Sequence, residues 1–205
     1  MKQHIGNFFT FLKDKANRDL PFQVKLVIAP ELITKKDLLV KKNLDITDPQ
    51  IKSLPDNLKV KGFLHIKNSA IESLPENLTV TESLYIVNTP ITSLPDTLNV
   101  HGNIVIEGGV LQTLPDNLKT KGALLLKNVP LKQLPDNLEV NGSLALDKCP
   151  IGDIPNGLNI RGSVFSVSNT PLAQKYTKDE IMKMIIDRGG SYSGKIYNHI
   201  AKDKK

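Results

Sequence analysis

The sequence predicts a mainly β fold, a parallel β-solenoid with 20-residue rungs and helical caps at both ends, and three observations lead there. A Leu-Pro dipeptide recurs at a strict 20-residue spacing, as Leu54-Pro55, Leu74-Pro75, Leu94-Pro95, Leu114-Pro115 and Leu134-Pro135, with Ile154-Pro155 as a variant. A fixed period of this length marks a repeat architecture. Within each copy apolar and polar residues alternate, as in Leu58, Val60, Leu64 and Ile66, which is the period of a strand and not of a helix. Aromatics make up only 5% of the chain and Trp is absent, so the core falls to Leu, Ile and Val. One copy cannot bury its own apolar side, whereas copies stacked roughly 4.8 Å apart make a continuous core of like residues.

Residues 1–37 form the predicted N-terminal cap. Ile5, Phe8, Phe9, Leu12 and Ala16 fall on one face of a helix over residues 2–17, with Pro21 beyond its end. Such a helix is expected to cover the open first rung, or else to dock on a partner. The solenoid itself spans residues 38–172. Its incomplete first rung is Leu38, Val40, Leu44, Ile46 and Ile51, with Lys42 where later copies carry glycine.

Each full copy should supply one or two short strands. Gly62, Gly102, Gly122, Gly142 and Gly162 recur at one place, where a bend or a close backbone approach favours a residue without Cβ; Glu82 breaks that column. Proline lacks an amide hydrogen and fixes φ, so the Leu-Pro column marks a corner outside the paired strands. The acidic residue and asparagine after it suit a turn. The last rung, Val164 to Leu172, carries one inserted residue, placed before its final leucine.

Residues 173–205 form the predicted C-terminal cap. Thr177-Lys178-Asp179-Glu180 is a capping box, followed at helical spacing by Ile181, Met184 and Ile185 as far as Gly189-Gly190. Ser191 to Ile200 alternates as a last strand, and Lys202 to Lys205 is a basic tail.

The formal net charge is +6, but it is unevenly spread. Residues 1–50 hold nine basic against six acidic residues, residues 51–172 ten against eleven, and residues 173–205 eight against four. A neutral repeat body argues against a phosphate-tracking groove along the solenoid, so nucleic acid is not the expected partner. A single cysteine, Cys149, precludes an internal disulfide framework. The apolar run after Met1 is too short and too interrupted for a signal peptide, and no stretch approaches a membrane span.

Catalytic, cofactor and metal sites are not predicted. His4, His65, His101 and His199 are scattered over different columns and both ends. The acidic column Asp56, Glu76, Asp96, Asp116 and Asp136 supplies one carboxylate per 20 residues, too few for a calcium ladder. Cys149 has a lysine beside it but no histidine nearby to serve as a base. Function on a solenoid usually sits on outward columns. The place of His65 is taken in later copies by Tyr85, Val105, Leu125, Ala145 and Phe165, more apolar than a solvated column requires. His65, Tyr85, Val105, Leu125 and Phe165 are therefore the candidate protein-contact face, unless the N-terminal segment lies over them.

The Leu-Pro-x-x-Leu columns, from residue 51 to about 172, resemble the short leucine-rich repeats of bacterial secreted effectors, with one residue more before the closing apolar position. Asn68, Asn88 and Asn128 resemble the buried asparagine of that family. The phrase Leu134-Pro135-Asp136-Asn137-Leu138-Glu139-Val140-Asn141-Gly142-Ser143-Leu144 is similar to repeat proteins encoded by tailed bacteriophages, and the run from Thr170 to Tyr197 resembles their closing cap. The resemblance implies a solenoid of the leucine-rich-repeat type. It also implies a non-catalytic protein-binding or structural component of a phage virion or of a phage–host interaction, working in the host cytoplasm or the virion. The alternatives are a host-directed inhibitor or bacterial effector that disables an enzyme, and, more remotely, a nucleic-acid binder acting through its basic ends.

Overall fold

The computed structural model describes residues 20–116 and 118–199. The helix expected over residues 2–17 and the tail Lys202–Lys205 lie outside that range. From Leu39 onward each turn of the chain contributes one two-residue strand and one longer strand. The pairs are β1 (Leu39–Val40) and β2 (Leu44–Ile46), β3 (Lys59–Val60) and β4 (Leu64–Lys67), β5 (Thr79–Val80) and β6 (Leu84–Val87), β7 (Asn99–Val100) and β8 (Ile104–Glu107). They continue as β9 (Lys119–Thr120) and β10 (Leu124–Lys127), β11 (Glu139–Val140) and β12 (Leu144–Asp147), β13 (Asn159–Ile160) and β14 (Val164–Ser166), and β15 (Ser191–Tyr192) and β16 (Lys195–Tyr197).

All pairings are parallel. The longer strands form one eight-stranded sheet in the order β16-β14-β12-β10-β8-β6-β4-β2, and the short strands form two four-stranded ladders, β1-β3-β5-β7 and β15-β13-β11-β9. The register advances by 20 residues per rung, with Leu64 beside Leu84 and Leu124 beside Leu144. The chain is thus a parallel β-solenoid of 20-residue rungs. Like residues stack inside it: Leu44, Leu64, Leu84, Ile104, Leu124 and Leu144 are all buried, as are Ile46, Ile66, Ile86, Ile106, Leu126 and Leu146 two positions on.

The glycine column is explained by backbone approach between rungs. A Cβ on Gly102 would stand 2.7 Å from the Glu82 carbonyl carbon, and one on Gly122 would stand 2.5 Å from the Gly102 oxygen. The rungs are joined there by Gly102 N–H to Glu82 O at 2.9 Å and Gly142 N–H to Gly122 O at 3.0 Å. Glu82, which has a Cβ, donates to Gly62 O over a longer 3.3 Å.

The column of Asn68, Asn88 and Asn128 has a different cause from the one expected. Asn68, Asn88 and Asn128 are exposed, not buried. With Gly108, Lys148 and Asn169 they occupy one corner at φ between 49° and 66°. Asparagine tolerates this left-handed region better than other residues with a Cβ, which is why it alternates with glycine there. The second column, Asn57, Asn77, Asn137 and Gly157, sits at φ between 56° and 62° just after the Pro-Asp corner. Adjacent amides also pair along both columns, Asn88 Nδ2 to Asn68 Oδ1 and Asn77 Nδ2 to Asn57 Oδ1.

At the N-terminal end a short helix, α1 (Phe22–Ile28), begins after Pro21 and is followed by a 3-10 turn at Pro30–Leu32. Pro21 therefore opens a helix, as its missing donor and fixed φ allow. Gln23 Nε2 donates to Asp45 O on the outer edge of β2. Lys25 is buried, with Nζ 2.8 Å from Asp37 Oδ1, and Thr34 donates to the other Asp37 oxygen through both its N–H and its hydroxyl.

At the other end Thr170 caps α2 (Pro171–Lys175), and the capping box of Thr177 and Glu180 is present at the start of α3 (Lys178–Asp187). Ile181 and Ile185 of α3 are fully buried beside β15. Tyr192 turns inward, its ring meeting Phe165 edge-on at 6.1 Å and its hydroxyl donating to Lys195 O at 2.7 Å. The final strand expected from Ser191 onward is two strands, β15 and β16, completing one more rung.

The inserted residue of the last rung lies earlier than expected. Gly162 still pairs with Gly142, but Leu144 stands beside Phe165 and Ala145 beside Ser166. The extra residue is accommodated at Ser163 and Val164, before the strand is in register, and every later column is displaced by one.

Candidate protein-contact face

Alternation along the eight-stranded sheet sends the residue after each core leucine outward. The column read across the strands is Asp45, His65, Tyr85, Val105, Leu125, Ala145, Ser166 and Tyr197. His65, Tyr85, Val105 and Leu125 are partly exposed on this face, where the sequence places them. Phe165 is not among them. It is fully buried in the column of Leu144, because the insertion shifts the rung by one and places Ser166 on the outer face instead. A large aromatic ring is thereby exchanged for a small hydroxyl at that end of the column.

Two flanking columns complete the surface. On one side lie Thr47, Lys67, Val87, Glu107, Lys127 and Asp147, and on the other Phe63, Ser83, Asn103, Ala123 and Ser143. Phe63 meets Tyr85 edge-on at 6.1 Å, and His65 meets the same ring at 5.8 Å. His65 Nδ1 also stands 3.3 Å from Asp45 Oδ1. The wide, aromatic end of the face is thus at β4 and β6, and it narrows toward Ala145 and Ser166. Phe63 escapes a reading of the sequence because its column is otherwise small or polar; the signal for it is its spacing of two residues from His65.

Two oppositely charged residues on this face meet directly. Lys127 Nζ lies 2.7 Å from Glu107 Oε1, both side chains being about half exposed. The hydrogen bond that Lys127 donates to Glu107, the Glu107 negative charge and, more weakly, that of Asp147 raise the Lys127 pKa above its ordinary value. Lys119 and Glu139 make a similar pair on the short-strand side at 2.9 Å.

Of the described N-terminal residues, α1 sits at the first rung, lining a depression with Asp45 and Thr47 and holding Asp45 O through Gln23. Residues 1–19 lie outside the described range. Elsewhere, a depression of about 650 Å³ lies on the Leu-Pro side between Gln112, Pro130, Lys132 and Pro135. Among the described residues no group of three or more His, Cys, Asp and Glu is placed to hold a metal ion, and no helix is long and apolar enough to cross a membrane. Cys149 lies inside the corner after β12, with its thiol against Leu126 O and Asp147 O. Burial pushes its pKa up, a hydrogen bond with Val129 backbone opposes this and the Asp147 charge adds to it. The neighbouring Lys148 therefore does not activate it.

Comparison of the chain with protein-family models, with curated proteins and with solved structures returns no match.

Proposed function

We propose that this chain is a non-catalytic repeat scaffold that binds a protein through the outer face of its eight-stranded sheet. The observation that carries the reading is the run Tyr85, Val105, Leu125 and Ala145 on four consecutive strands, partly exposed and backed by Phe63 and His65. Solvent-facing strand positions with no partner are ordinarily polar, and a contiguous apolar strip rimmed by charge is the composition of a contact surface. Tyrosine is among the residues that carry most binding energy when covered. The Lys67, Glu107, Lys127 and Asp147 column supplies a polar rim.

The likeness of the Leu-Pro repeats to leucine-rich repeats and to phage-encoded repeat proteins adds a setting, a component of a phage virion or of a phage–host interaction. Sedimentation of the chain with assembled particles would support the virion role, and a stoichiometric complex with a soluble host protein would replace it with an inhibitor role.

The contact surface is tested by Tyr85→Asp combined with Leu125→Asp. Loss of partner association with a nearly unchanged melting temperature is the expected result, since exposed substitutions seldom move stability by more than about 0.5 kcal/mol. Association that survives the double substitution removes this face from consideration.

A further inference from the structure

We propose that the protein docked on this face is a second copy of the same chain, packed face to face with its solenoid axis antiparallel about a twofold axis that runs along the strands between β8 and β10. The proposal rests on the contact-face reading above and assigns its partner.

A twofold axis of this kind reverses the order of rungs and keeps each column opposite itself. In the central column Val105 then faces Leu125 of the second copy, and Tyr85 faces Ala145, large against small. In the flanking column Glu107 faces Lys127 of the second copy and Lys127 faces its Glu107, so the ion pair at 2.7 Å within each copy becomes a four-charge cluster of alternating sign. In the third column Ser83 faces Ser143 and Asn103 faces Ala123, small or uncharged throughout. At the ends Asp45 of each copy faces Tyr197 of the other.

Moving the axis by half a rung to either side loses that match. An axis through β8 would place Glu107 against Glu107, and one through β10 would place Lys127 against Lys127 and Glu107 against Asp147. Like charges set directly opposite are repulsive and select against those registers. The match has one cost, Asp147 opposite Val87, at the rim of the face where the carboxylate already accepts from Asn169 Nδ2.

The area is adequate. Eight strands about 4.8 Å apart, with outward positions spanning about 13 Å of strand, give a plan of roughly 450 Å² per copy. Side-chain relief brings the total buried area near the lower bound of about 1,200 Å² for a stable complex. Aligned sheets pack in this way at about 10 Å.

Sedimentation velocity on the full chain between about 1 and 100 µM tests the proposal. The wild type should show a concentration-dependent dimer. Glu107→Lys and Lys127→Glu, each alone, place like charges across the axis twice and should weaken dimerisation at least tenfold. Mixing the two single variants in equal amounts should restore a dimer, because every lysine of one copy then faces a glutamate of the other. Circular dichroism melts on the same samples separate loss of association from loss of fold. A wild type that is monomeric throughout the range overturns the second-copy assignment, while the contact-face reading is still decided by the Tyr85 and Leu125 substitutions. A dimer indifferent to both single variants, or single variants that do not rescue each other, places the dimer interface elsewhere and also overturns the proposal.

Discussion

The hydroxyl of Thr97 accepts the backbone N–H of Asn77 at 2.8 Å and donates to the Glu76 carboxylate of the same neighbouring rung. In other rungs the equivalent amide goes to a main-chain carbonyl, as Asn57 N–H to Glu76 O and Asn137 N–H to Asn156 O. Thr97 is absent from the left-handed positions that Asn57, Asn77 and Asn137 occupy, as its branched Cβ demands. A side-chain oxygen thus stands in for a carbonyl that the altered turn no longer presents. Thr97→Ala should cost about 1 kcal/mol in a urea melt, the net worth of one hydrogen bond. Thr97→Ser should cost less and retain slow amide exchange at Asn77. Equal stability of all three proteins would show that the hydroxyl holds nothing.

Close backbone approach makes a sharp prediction in the glycine column. Gly122→Ala drives a Cβ against the Gly102 carbonyl and cannot be relieved by a side-chain movement. A loss of about 1–3 kcal/mol is expected, the usual cost of overpacking. Glu82→Ala occupies the same column where a Cβ is already accommodated and should change stability by less than about 0.5 kcal/mol. Thermal melts of the two variants check this, and a Gly122→Ala protein as stable as Glu82→Ala would contradict it.

Asp37 gives the N-terminal cap an acid sensitivity. Burial alone would raise its pKa, but hydrogen bonds from Lys25 and from the Thr34 N–H and hydroxyl, with the Lys25 charge, outweigh it and hold the carboxyl below its ordinary value of 3.8. A carboxyl depressed in the folded state contributes stability above its unfolded pKa and loses it as pH falls through the folded value. The contribution should therefore be whole at pH 5 and disappear below about pH 4. Asp37→Asn should destabilise the protein at pH 7 by about 2 kcal/mol, since it strands a buried ammonium, and should flatten the acid limb of the stability curve. An unchanged slope below pH 4 would contradict the assignment.

Cys149 should be inert. Its buried, raised-pKa thiol has little thiolate at neutral pH and no path to solvent. Labelling by a maleimide should proceed at the rate of unfolding and accelerate with denaturant. Rapid labelling of the native protein at pH 7 would show that the corner after β12 opens.

The period of 20, the two strands per rung, the corner at Leu-Pro and the helix after Thr177 were legible because each rests on a residue type with few alternatives: proline without a donor, glycine without a Cβ, a threonine and glutamate three apart. What was not legible turned on single-residue events. Nothing in Ser163-Val164-Phe165 says which residue is the extra one, since valine and phenylalanine both fit a core column, and the choice decides whether Phe165 points inward or outward. The helix that follows Pro21 has no sequence signal of its own, since proline stands equally well beyond the end of one helix and before the start of another. The turn role of Asn57, Asn77 and Asn137 is legible, whereas that of Asn68, Asn88 and Asn128 is not: a side chain favoured for its tolerance of positive φ looks, in sequence, the same as one favoured for buried hydrogen bonds.

Leu124 and Leu125 are chemically identical neighbours on β10 that face opposite ways, one fully buried between Ile104 and Leu144 and the other on the outer column between Val105 and Ala145. The contact face exists only if that assignment holds. Leu124→Asp places an unpaired charge in the core and should cost at least about 3 kcal/mol. Leu125→Asp, measured at a concentration low enough to exclude self-association, should stay within about 0.5 kcal/mol of wild type. Melting temperatures that separate in this order support the register and the face built on it; equal losses, or the reverse order, would contradict both.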